Sequence, residues 1–133
     1  MSTATPGQAV VQRVLDAFAA GDMESARSAI SPDVTVDEAA SLPFGGAYVG
    51  RDGFFGMLES LGAAYEVAVT GQELVSVADR VYLHLQMTFT ARATGRSVSL
   101  SGVEVYRVSD GMITGIDVYY KDTHALVDMI EAP

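Results

Sequence analysis

The stretch SVSLSGVEVYRVSDGMITGIDVYY, residues 97–120, decides the fold. Val98, Leu100, Gly102, Glu104, Tyr106 and Val108 occupy every second position; Ser109-Asp110-Gly111 interrupts, and Ile116, Val118 and Tyr120 resume the alternation. Period-two alternation on either side of a short Asp-Gly turn predicts two antiparallel strands joined as a hairpin, each with one face toward a core. Upstream, residues 65–77 and 80–92 are equally rich in valine, tyrosine and threonine, with Ala78-Asp79 between them and Thr94-Gly95 after them. The second half therefore reads as a meander of long strands over 65–77, 80–92, 97–108 and 112–121.

The first half reads differently. Thr5-Pro6-Gly7-Gln8 offers a capping threonine, a proline suited to the first helical position and a glutamine three residues past the cap. Val10, Val11, Val14, Leu15 and Phe18 then recur at helical spacing until Gly21. Asp22 is placed to cap a shorter helix with Met23, Ala26 and Ile30 on its apolar side, stopped by Ser31-Pro32. Val34 and Val36 alternate with Asp33, Thr35 and Asp37 as a short strand. Residues 39–50, AASLPFGGAYVG, read as a loop long enough to form a pocket rim or lid. A third helix follows from 52 to about 61, carrying Phe54, Phe55, Leu58 and Leu61, and 124–130 closes the chain with a helical turn. The order ααβαββββ with a short C-terminal helix keeps helices and meander apart. That is α+β, not a doubly wound sheet.

At 133 residues the chain has the length of one domain, spanning 1–133. A composition 49% apolar and 19% charged excludes a disordered chain. Eight basic against seventeen acidic residues give a net charge of −9, which argues against nucleic acid or an anionic membrane as partner. Without cysteine there is no disulfide frame, zinc finger or thiol nucleophile. His84 and His124 lie far apart with no third ligand nearby, so no metal is expected. The opening MSTATPGQAVVQRV lacks the pattern of a signal peptide, and no run approaches the roughly 20 apolar residues of a membrane helix. A soluble, cytoplasmic domain is the expectation.

Alternation assigns faces. Val81, Leu83, Leu85, Met87 and Phe89 form a wholly apolar face that the helices must cover, while Tyr82, His84, Gln86, Thr88 and Thr90 point outward. Glu104 is the one charge in its file, beside Gly102, where open space is expected. An ionised carboxylate there costs several kcal/mol unless paired or protonated, so a raised pKa and a neutral, hydrogen-bond-donating acid are expected. The same parity, Val34–Val36–Glu38, puts Glu38 on the buried side. Two carboxyls of unlike environment on one cavity suit a base and a donor. The competing readings are a structural partner for an arginine at Glu104 and a solvated carboxylate at Glu38. Asp37 or Asp117 replaces Glu38 if the parity slips by one.

With this element order, the stretches FAAGDMESARSAISPDVTVDE (18–38), ATGRSVSLSG (93–102) and VEVYRVSDGMITGIDVYY (103–120) resemble the ketosteroid isomerase and SnoaL-like polyketide cyclase superfamily. The resemblance covers nearly the whole chain. It implies the cone of the nuclear transport factor two type: a curved, mostly antiparallel sheet wrapped around three helices and a deep pocket. In the isomerase pattern a threonine–valine stretch leads into two acids, the second being the general base; Thr35-Val36-Asp37-Glu38 puts Glu38 there. The oxyanion-hole acid precedes a Val-x-Arg, as Glu104 precedes Val105-Tyr106-Arg107. The isomerase's helix-one tyrosine falls at Val14, leaving Tyr120 as the substitute hydroxyl. Losing such a donor typically costs about 2.7–4 kcal/mol, which weighs against steroid isomerisation. LPFGGAYVGRDG (42–53) and YYKDT (119–123) look closer to the SnoaL-like branch, whose members perform acid–base chemistry on polyketides. The Arg-x-Asp used by epoxide-opening relatives does not occur between Val81 and Arg92.

The resulting expectation is an isomerase- or cyclase-type enzyme without cofactor or metal, acting on a small hydrophobic carbonyl compound. Glu38 removes a proton while protonated Glu104 and Tyr120 hold the enolate oxygen. The pocket wall is expected from Val14 and Phe18 on the first helix, Phe44 and Tyr48 in the loop, and Phe54, Phe55 and Leu58 on the third helix. Leu85, Met87, Phe89, Leu100, Gly102, Ile116 and Val118 complete it from the strands. The outer face, with Tyr82, His84, Val103, Val105, Asp117 and Tyr119, suits a homodimer interface. The alternative is a non-catalytic ligand-binding or dimerisation module of the same fold.

Overall fold

The computed structural model describes residues 5–131. Helix α1 (Pro6–Ala19) starts where Thr5 Oγ1 accepts the Gln8 amide at 3.1 Å, and the chain leaves it through Gly21 at φ +73°. Helix α2 (Met23–Ser28) is capped by Asp22 as predicted, but it ends before Ile30. Ile30 instead opens strand β1 (Ile30–Glu38), fully buried and paired with Ile113. The register of β1 shifts between Ile30 and Thr35, and Pro32 falls in that irregular stretch, where no regular ladder needs its missing N–H. The strand is therefore longer than the sequence suggests.

The largest departure lies in 39–50, read as a loop. Its last residues form strand β2 (Gly46–Val49), antiparallel to β1 with Glu38 opposite Gly46 and Thr35 opposite Val49. The order is thus ααββαββββ before the last helix. The turn into β2 is tight: a Cβ on Gly45 would lie 2.2 Å from the Ala39 carbonyl oxygen, so only glycine fits. Helix α3 (Gly50–Ala64) is longer than predicted at both ends.

The meander appears almost residue for residue as β3 (Tyr65–Val77), β4 (Arg80–Ala91), β5 (Ser97–Ser109) and β6 (Met112–Tyr120), followed by α4 (Thr123–Asp128). Asp110 and Gly111 adopt φ +54° and +75° at the β5–β6 turn, as an Asp-Gly hairpin requires. All strands join one curved sheet in the order β2-β1-β6-β5-β4-β3, antiparallel except for β1 beside β6. Register shifts in β1, in β3 and between β5 and β6, where Thr114 of β6 is the extra residue, bend the strands and help the sheet curl around the helices. Inside the curl, Val10, Val11, Val14 and Ala17 of α1 pack with Val81, Leu83, Leu85, Met87 and Phe89 of β4. Tyr82, His84 and Gln86 face away, as parity predicts.

Candidate active site

One end of the space between helices and sheet is left unfilled. A cavity of about 530 Å³ is walled by α1, α3 and the inner face of β1 and β3–β6. Glu38, Glu104, Tyr106 and Tyr120 reach its wall among otherwise mostly apolar side chains. Strand pairing explains how the carboxyls meet. Glu104 on β5 pairs with Val118 on β6, and Asp37 on β1 pairs with Asp117, which brings Glu38 level with Val118 from the other side. The two glutamates thus bracket one valine on one face, their backbones two strand spacings apart, about 10 Å. Asp37 and Asp117 point to the opposite face, so the parity holds.

Glu38 is 5% exposed, and its Oε1 is the buried side-chain polar atom that accepts no hydrogen bond among the described residues. Burial, reinforced by the charge of Glu104, pushes its pKa up to about 8; the nearby Tyr120 hydroxyl offsets part of the rise. Glu104 keeps some accessible surface where it borders the cavity, but protein surrounds it. Burial raises its pKa too, opposed by Tyr106, whose hydroxyl donates to Glu104 Oε1 at 2.5 Å. Both tyrosines titrate above the ordinary phenol range, Tyr106 and Tyr120 alike through burial and the neighbouring carboxyls, and stay neutral donors. Among the described residues no Lys, Arg or His lines the cavity.

Tyr120 is set by an aromatic cluster. Its ring meets Phe44 and Phe89 edge-on at centroid distances of 6.2 and 5.9 Å, and Tyr65 joins the same group. The Tyr65 hydroxyl donates to the Leu126 carbonyl at 2.6 Å, tying the start of β3 to α4 behind the cavity.

The chain matches the SnoaL-like domain over residues 11–116. It belongs to the SnoaL-like family. No curated protein matches it. Among solved structures it is similar to an NTF2-like protein of Burkholderia xenovorans LB400 (20% identity, TM-score 0.88, 97% of this chain and 98% of that one). A Burkholderia thailandensis NTF2-like protein is 26% identical, with a TM-score of 0.84 over 98% of this chain and 100% of that one. A candidate polyketide cyclase from Xanthomonas campestris pv. campestris is 21% identical, with a TM-score of 0.80 over 98% and 100%.

Within this SnoaL-like cone, the cavity wall includes the expected Phe18, Phe54, Leu58, Leu85, Met87, Phe89, Ile116 and Val118 along with Glu38, Glu104 and Tyr120. The other expected wall residues lie elsewhere. Val14 is buried in the core, and Phe44 stands behind Tyr120. Tyr48 is on β2, its hydroxyl donating to the Phe44 and Gly45 carbonyls at 3.1 and 3.2 Å. Phe55 packs against Phe18 and Phe54 beneath the Arg27 guanidinium. Leu100 packs half-buried against the core. Gly102 does not leave open space: a Cβ there would meet Met87 Cε at 2.9 Å and the Tyr119 carbonyl oxygen at 3.0 Å. The main wall residue absent from the sequence reading of the site is Tyr106. Its signal was present, since it lies two residues from Glu104 on the same strand face. Val67, Val69 and Gln72 of the edge strand β3 also reach the cavity.

Proposed function

We propose that the protein is a cofactor-independent acid–base catalyst of the isomerase or cyclase type, acting on a neutral, hydrophobic carbonyl compound of fused-ring size. The observation that carries this is the pair Glu38 and Glu104 on the wall of one largely apolar cavity, each with a raised pKa. In the proposed step one glutamate, as carboxylate, takes a proton from the carbon next to the carbonyl. The C–H bonding pair moves into the new C=C bond and the carbonyl π pair moves onto oxygen. The other glutamate, still protonated, hydrogen-bonds that oxygen, with the Tyr120 hydroxyl as a further donor. Reprotonation at another carbon gives isomerisation, and attack of the enolate on a second carbonyl gives ring closure. The candidate polyketide cyclase among its structural relatives supports this reading.

We further propose that the protein works as a homodimer joined through the outer face of the sheet. A groove of about 590 Å³ lies there, lined by Tyr82, Val105 and Tyr119 together with Arg80, Arg107, Asp37 and Asp117.

The catalytic proposal is tested with 2-tetralone in D2O, following loss of its α-proton signals by NMR. The protein accelerates exchange, and Glu38→Gln and Glu104→Gln each reduce the acceleration by about 10²–10³-fold. Binding of the ketone without exchange favours the passive ligand-binding module instead.

A further inference from the structure

We infer that Tyr106 is a positioning residue that makes Glu104 the carboxylate of the pair and leaves the proton on Glu38. This reverses the roles implied by the resemblance to the isomerase, and its catalytic meaning rests on the proposed function.

The hydrogen bonds carry the argument. A neutral phenol has one hydrogen, and Tyr106 spends it on Glu104 Oε1 at 2.5 Å, the short distance typical of a hydroxyl on a carboxylate. That donor stabilises negative charge on Glu104. Glu38 Oε1, buried in the same wall, receives no donor from any described residue, and the nearby Tyr120 hydroxyl offsets only part of the desolvation cost of a charge there. The described residues around the pair supply no countercharge. The ionisable groups facing Glu38 are Glu104 and Tyr106 from β5 and Tyr120 from β6; its neighbour Asp37 acts on it from the opposite face of β1, and Asp16 of α1 borders the cavity. Two acids that face each other without a cation lose their protons in separate steps. The first ionisation goes to the group with the better donor, which is Glu104. The rise of the Glu38 pKa, caused partly by the Glu104 charge, agrees with this order.

The site at neutral pH is then a monoanion of defined polarity. Glu104 is the base and takes the substrate proton on the oxygen that Tyr106 leaves free. Glu38 is the acid and donates its proton toward the substrate oxygen. Tyr106 acts only through Glu104.

The test needs no substrate. Protein carrying glutamate labelled with 13C at the side-chain carboxyl is titrated by NMR, with Glu38→Gln and Glu104→Gln used for assignment. In the wild type the Glu104 signal moves at lower pH than the Glu38 signal. In Tyr106→Phe the Glu104 midpoint rises by about one to two pH units and the order closes or inverts. In Glu104→Gln the Glu38 midpoint falls as its charged neighbour is lost. Glu38 titrating first in the wild type overturns the inference, as does an unmoved Glu104 midpoint in folded Tyr106→Phe. Should that variant fail to fold, the wild-type order still decides. The predicted order without tetralone exchange leaves this inference standing and removes the proposed function; exchange with the opposite order does the reverse.

Discussion

Glu38 and Glu104 stand on either side of Val118 in the same cavity wall, and no Lys, Arg or His among the described residues borders that cavity. This arrangement makes stability depend on pH in an unusual direction for carboxyls. Glu38 has a native pKa of about 8 against an ordinary value of 4.5. Between those values the unfolded chain has released its proton while the native protein keeps it, so each rise in pH favours unfolding. The stabilising contribution is complete below the ordinary value and is lost as pH climbs through the native one. The slope is about 1.4 kcal/mol per pH unit for one proton, or a few kcal/mol in all. Glu104, also raised, acts in the same direction. Thermal unfolding should therefore show a melting temperature that declines from pH 5 to pH 8, with a shallower decline in Glu38→Gln. Equal slopes in the two proteins would mean that Glu38 does not hold its proton.

Gly102 is the tightest point behind the site. Alanine there would place its Cβ 2.9 Å from Met87 Cε, which is flexible, and 3.0 Å from the Tyr119 carbonyl oxygen, which is backbone and must move. Gly102→Ala should cost about 1–3 kcal/mol in denaturant unfolding through overpacking. Removing the flexible neighbour as well, in Gly102→Ala with Met87→Ala, leaves the backbone clash. That double variant should be less stable than Met87→Ala alone, which carries its own cavity cost, and equal stability of the two would place the strain at Met87.

How much of this was legible follows from the range of each interaction. The strands of the second half announce themselves because alternation is local, and β3 to β6 were placed to within a residue or so at their ends. Strand β2 was hidden by its brevity and its glycine-rich surroundings, since an edge strand of Gly46–Val49 holds only two periods of alternation. Parity put Glu38 and Glu104 on the inner face. That they flank one valine depends on β1 lying parallel beside β6, a pairing of Asp37 with Asp117 that no local pattern encodes. The filling of the space at Gly102 by Met87 and Tyr120 was equally invisible, because it joins side chains from the two strands that flank β5.

The absence of Lys, Arg and His from the cavity wall among the described residues predicts charge selectivity. A ligand bringing a carboxylate beside Glu104 places two negative charges in a poorly solvated space with nothing to balance them. 2-Naphthol should therefore bind at least about tenfold more tightly than 2-naphthoate at pH 7, equivalent to about 1.4 kcal/mol. Fluorescence titration measures both. In a Glu38→Gln, Glu104→Gln double variant the preference should shrink. A wild-type preference for the carboxylate would require a cation in the site and would contradict the charge balance drawn above.

On the outer face, Arg80 pairs with Arg107 and Asp37 with Asp117 across neighbouring strands, so like charges stand side by side at both positions. Such neighbours destabilise a sheet unless something compensates them. Among the described residues the ion pairs are Arg27–Asp52 and Arg96–Asp128, and neither serves these groups. A second copy related by a two-fold axis can lay its aspartates against these arginines, with Tyr82, Val105 and Tyr119 on the same face, and satisfy both pairs at once. Sedimentation equilibrium should then show a dimer at high micromolar concentration that weakens with added salt. Arg107→Asp should shift it toward monomer, and Asp117→Arg in the same chain should restore association, because in a two-fold interface each swapped charge meets its swapped partner. A wild-type protein that stays monomeric, or a double variant no better than the single, would mean that the outer face is not joined in this way.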